Sequence, residues 1–222
     1  MKTRGEKHIP FFNLLEAFQL PGCPLCRLIS GRTRRYFDNL LYEFVNDPGF
    51  RETWRKTRGF CHRHSWMLAE WGDGLGLSIL YLDLVESHGA DLLVEPAGHD
   101  CSICESEDKA LKEILHDLNG FWAEPELVKA VSNSEGFCGP HLRAARRTVQ
   151  DGAVRETLQR ISIENLKRLG PQLRELAESY DYKHSSVNDK DVDIAWRRAI
   201  EKILGVRDLP GKDPPKRWKW KS

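Results

Sequence analysis

Apolar positions recur along this chain at three- and four-residue steps, the period of a helix buried on one face. Leu28, Tyr36, Phe37, Leu40, Leu41, Phe44 and Val45 follow that rule, and so do Leu111, Ile114, Leu115 and Leu118. Leu77, Leu80, Tyr81, Leu84 and Val85 form a third stripe within Leu75 to Val94. Val154 to Tyr180 carries Leu158, Ile161, Leu166, Leu169, Leu173 and Leu176, and Val192 to Leu204 carries Ile194, Trp196, Ile200 and Ile203. Asp47-Pro48 and Glu124-Pro125 each put an acidic N-cap before a proline at the first helical position. They predict two short helices ending near Gly59 and Gly136. No run alternates as a strand would, so the predicted fold is all-α.

The pattern is duplicated. Cys23-Pro-Leu-Cys26 is answered 78 residues on by Cys101-Ser-Ile-Cys104. Gly59-Phe-Cys61-His-Arg-His64 is answered 77 residues on by Gly136-Phe-Cys138-Gly-Pro-His141, and the two acidic-proline pairs are also 77 apart. Three landmarks in one order define a repeat, which absorbs all six cysteines. The reading is two tandem, related helical modules, residues 20–95 and 99–150, joined through Pro96-Ala97-Gly98. A C-terminal helical extension over 152–205 and a basic, tryptophan-containing tail over 206–222 complete the chain.

Two-residue spacing lets both side chains of a pair turn toward one point, as in tetrahedral zinc sites. Each copy supplies a Cys-x-x-Cys pair and a Cys-x-x-His pair, so each module is expected to be stapled by one closed Cys3His site of its own, Cys23, Cys26, Cys61 and His64 in the first and Cys101, Cys104, Cys138 and His141 in the second. Pairing within a copy needs a helical hairpin across the 34 intervening residues in the first copy and 33 in the second. Pairing between copies uses the same eight residues. Four protein ligands close the coordination sphere, which points to a structural ion, Zn2+ at two per chain. A Cys-rich set with one histidine also suits an iron–sulfur cluster. Thiol exchange at Cys23 and Cys26 is a further reading, without the βαβ context that gives such a motif its meaning. Helix N-termini favour thiolates, and Arg27 and Arg63 are placed to help. His62 and His99 flank the motifs, and His62 has no equivalent in the second copy, where Gly139 stands.

Charge narrows the functions. With 34 basic and 33 acidic residues the chain has a formal charge of +1, which two zinc ions and six thiolates would change to −1. No global field exists to grip nucleic acid or an anionic membrane. Local basic groups occur at Arg32, Arg34 and Arg35, at Arg51, Arg55, Lys56 and Arg58, at Arg143, Arg146 and Arg147, and in the tail from Pro214 to Lys221. They read as solvated faces before they read as a nucleic-acid surface. Tyr36, Phe37, Tyr42, Phe44, Trp54, Trp66 and Trp71 read as core. The N-terminal stretch reads as neither signal peptide nor anchor, so a reducing, cytoplasmic setting is expected. No phosphate loop, nucleophile elbow or HExxH is present, and no catalytic residue is assigned. A binding or scaffold role toward a protein partner is expected.

CPLCRL, the stretch from Arg34 to Leu68 and GDGLGLSILYLDL together resemble an uncharacterised prokaryotic family with CPxC and GFCxxH motifs and a late Trp-Arg-Arg helix, here Ala195-Trp196-Arg197-Arg198. The resemblance covers most of residues 20 to 205. It implies no activity. The second copy departs from the fuller motif of the first, with Ser102 for proline and Gly139-Pro140 for His-Arg.

Overall fold

The computed structural model describes residues 9–71, 74–94, 100–179 and 194–206. All regular structure among them is helical. In chain order the helices are α1 (Ile9–Gln19), α2 (Pro24–Asn39), α3 (Pro48–Lys56), α4 (His62–Trp71), α5 (Gly74–His88), α6 (Asp91–Val94), α7 (Ser102–Gly120), α8 (Pro125–Asn133), α9 (Gly139–Thr148), α10 (Gly152–Ser179) and α11 (Ala195–Leu204). The repeat is visible element by element, with α2 to α5 matched by α7 to α10. No described helix is long and apolar enough to cross a membrane. The linker at 96–98, His99 and the tail lie outside the described residues, as does the Gly72-Asp73 break.

The compact units do not follow the tandem division predicted above. One comprises Met1–Ile29 with Ala110–Arg207, and the other is built on Ser30–Lys109. Each unit joins the beginning of one copy's long helix to the body of the other copy, and the boundaries fall inside α2 and α7. The exchange has a physical basis in the motifs themselves. Leu25, inside CPLC, is fully buried in the core of the first unit with Leu127, Val131 and Phe137 of the second copy. Ile103, inside CSIC, is buried in the second unit with Phe37, Trp54 and Phe60 of the first copy. α1 belongs to no predicted module, yet its Phe11, Leu14 and Phe18 join the first core, with Phe18 against Phe137.

Asp47 caps α3 as predicted, its carboxylate accepting from the Phe50 amide at 2.7 Å. Glu124 occupies the matching N-cap position of α8 without a side-chain capping bond. In the second unit α3 and α5 are joined by Trp54 Nε1, which donates to the Leu80 carbonyl at 2.9 Å, and by Asp83, which accepts from Arg51 and Arg55.

Several stripes are corrected: on α5 Tyr81 and Val85 lie exposed, as does Leu166 on α10. Leu40–Phe44 forms a π-helical turn after α2. Its wider i→i+5 turn brings residues five apart, Leu40 and Val45, onto the inward face. Tyr42, 89% exposed, and Phe44 therefore leave the core, as does Trp66, 62% exposed, on α4. On α11 the docked face is Ala195 and Ala199, whereas Trp196, Ile200 and Ile203 lie outward. Small side chains allow the close approach this helix makes to α9.

Candidate metal centres

Each cysteine motif is positioned by its neighbours. Cys23, Cys61, Cys101 and Cys138 immediately precede helices, and their carbonyls accept the first helical bonds from Arg27, Ser65, Glu105 and Leu142. The second ligand of each pair lies one turn on, at Cys26, His64, Cys104 or His141. The Gly-Phe before each Cys-x-x-His fixes the approach. Gly59 and Gly136 have φ of 84° and 70°, a left-handed conformation natural to glycine. Phe60 then packs edge-on to Trp54 at 4.9 Å, and the Phe137 amide donates to Ser162 Oγ at 2.9 Å.

All eight predicted residues converge, in two groups of four, but between copies. Cys23 and Cys26 meet Cys138 and His141, while Cys101 and Cys104 meet Cys61 and His64. The within-copy pairing is thereby overturned. In each group all four ligand atoms lie within 4.8 Å of one another. At the His141 site Nδ1 stands 3.4, 3.3 and 3.2 Å from the sulfurs of Cys23, Cys26 and Cys138, and Cys26 lies 3.7 Å from Cys138. At the His64 site Nδ1 is 3.3, 3.4 and 3.4 Å from Cys61, Cys101 and Cys104, and Cys61 lies 3.7 Å from Cys104. Two buried Cys3His clusters of this kind could each hold a metal ion.

The charges within each cluster are prepared for a cation. Burial pushes the Cys101 thiol up, but hydrogen bonds from His64 and from backbone N–H groups outweigh it and hold the thiol down at about 6. Burial and the Cys61 sulfur push Cys104 up to about 12. Burial likewise opposes protonation of His64, which Cys101 and Glu107 nevertheless raise to about 10. At the other site Cys23 is held well below the ordinary thiol value despite its burial, by Cys138, Cys26 and His141, and Cys26 is raised, chiefly by Cys138. Cys138 and Cys23 raise His141 to about 10 against its burial. Left to the protein alone, each cluster balances a thiolate on an imidazolium. A cation would displace the remaining protons.

Sequence reasoning missed Glu107. It lies on α7 with Oε2 3.4 Å from His64 Nε2, and it accepts from Thr33 at 2.9 Å and from Arg63 at 2.9 Å. The only available signal was its place beyond Cys104 on the same helix, and the matching residue in the first copy is Ile29. Arg63 therefore serves Glu107, and Arg27 donates to the Pro21 carbonyl. His62 lies exposed against Trp66. Among the basic groups, Arg51 and Arg55 engage Asp83 and Lys56 pairs with Glu52.

Exchanged Cys-x-x-Cys and Cys-x-x-His pairs on an all-helical scaffold define the class of protein this is. The chain belongs to the Family of unknown function (DUF6062), which it matches over residues 13–75 and 85–209. It is also 28% identical over 206 residues to an "Uncharacterized 23.9 kDa protein in xynA 3'region" of Caldicellulosiruptor sp. (strain Rt8B.4), covering 87% of this chain and all of that protein. No solved structure matches the chain.

Proposed function

We propose that the protein binds two structural zinc ions, one per Cys3His cluster, and acts as a non-enzymatic binding or scaffold protein. The convergence of four ligand atoms to within 4.8 Å at both sites carries this reading. Zinc bonds of about 2.3 Å to sulfur and about 2.0 Å to nitrogen, in tetrahedral geometry, separate the ligand atoms by about 3.5 to 3.8 Å. The distances above are close to that. An iron–sulfur cluster spreads its ligands over two or more irons and so needs them further apart than a single ion does. With three thiolates and a histidine around each ion, no position remains for substrate, which favours a structural role. Such an ion can contribute about 10 to 16 kcal/mol in small zinc-binding peptides, as much as the net stability of a domain.

A binding role is supported by α5, whose Leu75, Leu82 and Val85 are exposed on one face. A protein partner suits that face better than nucleic acid does. Six free cysteines in two ligand sets fit a reducing compartment, the cytoplasm.

Elemental analysis of protein purified without oxygen tests the proposal. Two zinc per chain and no visible absorption band are expected. A brown protein containing iron and sulfide would replace zinc with a cluster, and a metal-free chain would end both readings. Cys61→Ala should retain one zinc. By the exchanged pairing it should loosen the start of α7 along with α4, as hydrogen exchange would record.

A further inference from the structure

The two sites share a plan but are closed differently. Glu107, Arg63 and Thr33 back the His64 site. At the His141 site the CxxC helix offers Ile29 in place of that carboxylate, and the neighbour is α11. A Cβ added to Gly139 would stand 2.5 Å from the Ile203 carbonyl oxygen, so the last turn of α11 rests on the start of α9. A Cβ on Gly205, just beyond, would lie 3.7 Å from the Cys138 sulfur and 3.8 Å from that of Cys26. Lys202, on the same turn, donates to the Glu135 carbonyl. It shares with Cys23 and Cys138 the wall of a cavity of about 490 Å3. In the first copy the positions matching Gly139 and Arg143 are His62 and Trp66. A backbone approach like that of Ile203 is sterically barred at His62. Gly139, which stands where the first copy has His62, is thus the residue that admits α11.

A zinc ion bound by three thiolates and a neutral imidazole carries a net charge of −1. Burying that charge is unfavourable without a nearby cation. Two cations of α11 line the cavity: Arg198 is paired with the Glu135 carboxylate at 3.1 Å, and Lys202 is the one that feels the charges of Cys23 and Cys138. Burial depresses its ammonium pKa, and the charges of Cys23, Glu135 and Cys138 act in the opposite sense.

We propose that α11 is a metal-dependent cap on the His141 site, with Lys202 as the positioning cation that offsets the anionic ion–thiolate centre. The proposal rests on the zinc reading above. Linkage makes it reciprocal, so that zinc holds α11 in place and a docked α11 tightens zinc binding by the same factor. The His64 site, backed by a carboxylate instead, is independent of α11.

The test uses the full-length, zinc-loaded chain and its Lys202→Met, Lys202→Arg and Gly139→His variants. Zinc transfer to a chromogenic chelator is followed together with hydrogen exchange of residues 62–71, 139–148 and 195–204. Lys202→Met should weaken one of the two zinc ions by about 10- to 100-fold, the range for residues that support metal ligands. Protection should fall in 139–148 and 195–204 and persist in 62–71. Lys202→Arg should restore the parent behaviour, because it restores the charge. Gly139→His leaves Lys202 and every ligand intact, yet should reproduce the effect of Lys202→Met by displacing α11. Unchanged zinc release in Lys202→Met, failure of arginine to rescue, or equal loss of protection in 62–71 would each overturn the cap while leaving two structural zinc ions standing. A parent chain without zinc would overturn both proposals together.

Discussion

Glu107 is half-buried, which raises a carboxyl pKa, yet His64, Arg63 and Thr33 together hold it down at about 2. A carboxylate so placed orients the imidazole and strengthens it as a ligand. Glu107→Gln should therefore weaken zinc at the His64 site by about 10-fold and leave the His141 site unchanged, as read by chelator competition. Asp83 is a structural counterpart. Hydrogen bonding to Arg51, then to Arg55, holds its carboxyl below the ordinary range. The unfolded chain takes up that proton more readily than the folded one. The stabilisation from Asp83 is thus complete above about pH 4 and is lost as pH falls through its folded value. Asp83→Asn should cost about 2 kcal/mol at pH 7. The gap between parent and variant in denaturant melts should narrow as the pH falls below about 4. Of these residues only the eight ligands were legible in the sequence, because two-residue spacing is a local signal. Glu107 and Asp83 act through partners 74 and 32 residues away, Thr33 and Arg51, and no local pattern records such distances.

Helices were legible wherever one face is buried along their length. α7 keeps the stripe predicted for it, α10 keeps its stripe except at Leu166, 40% exposed, and proline marks the starts of α3 and α8. The readings that failed have identifiable causes. One π-helical turn shifts the phase after Leu40, and α11 docks through two alanines, which a search for large apolar residues passes over. α1 carries Phe11, Leu14 and Phe18 at helical spacing, but it lies outside the repeat on which the modules were drawn. The tight elements are the glycine turns before each Cys-x-x-His pair. A Cβ at Gly136 would stand 2.6 Å from Ser162 Oγ and 3.0 Å from Ser162 backbone, at a φ that already disfavours a side chain. Gly136→Ala should destabilise the chain by about 2 to 3 kcal/mol in thermal or denaturant melts. Gly120→Ala, in open space at the end of α7, should be neutral or stabilising.

At the scale of the molecule, the repeat was legible and its pairing was not. Intervals of 34 and 33 residues allow a hairpin that returns within a copy as readily as a helix that carries its CxxC to the other copy. Burial decides between them: Leu25 and Ile103 each enter the core built by the other copy, and the cysteines on either side go with them. That exchange has a consequence for cutting the chain. A protease site introduced between residues 95 and 99 would give two polypeptides, each lending a CxxC to the other and borrowing a Cys-x-x-His in return. The fragments should co-elute in gel filtration while zinc is bound and separate when a strong chelator is added. Two fragments that parted with zinc still bound would contradict the exchange. In a chain so connected, ions held at the two clusters would act as rivets between its halves, beside the exchanged Leu25 and Ile103 and the peptide link between the copies.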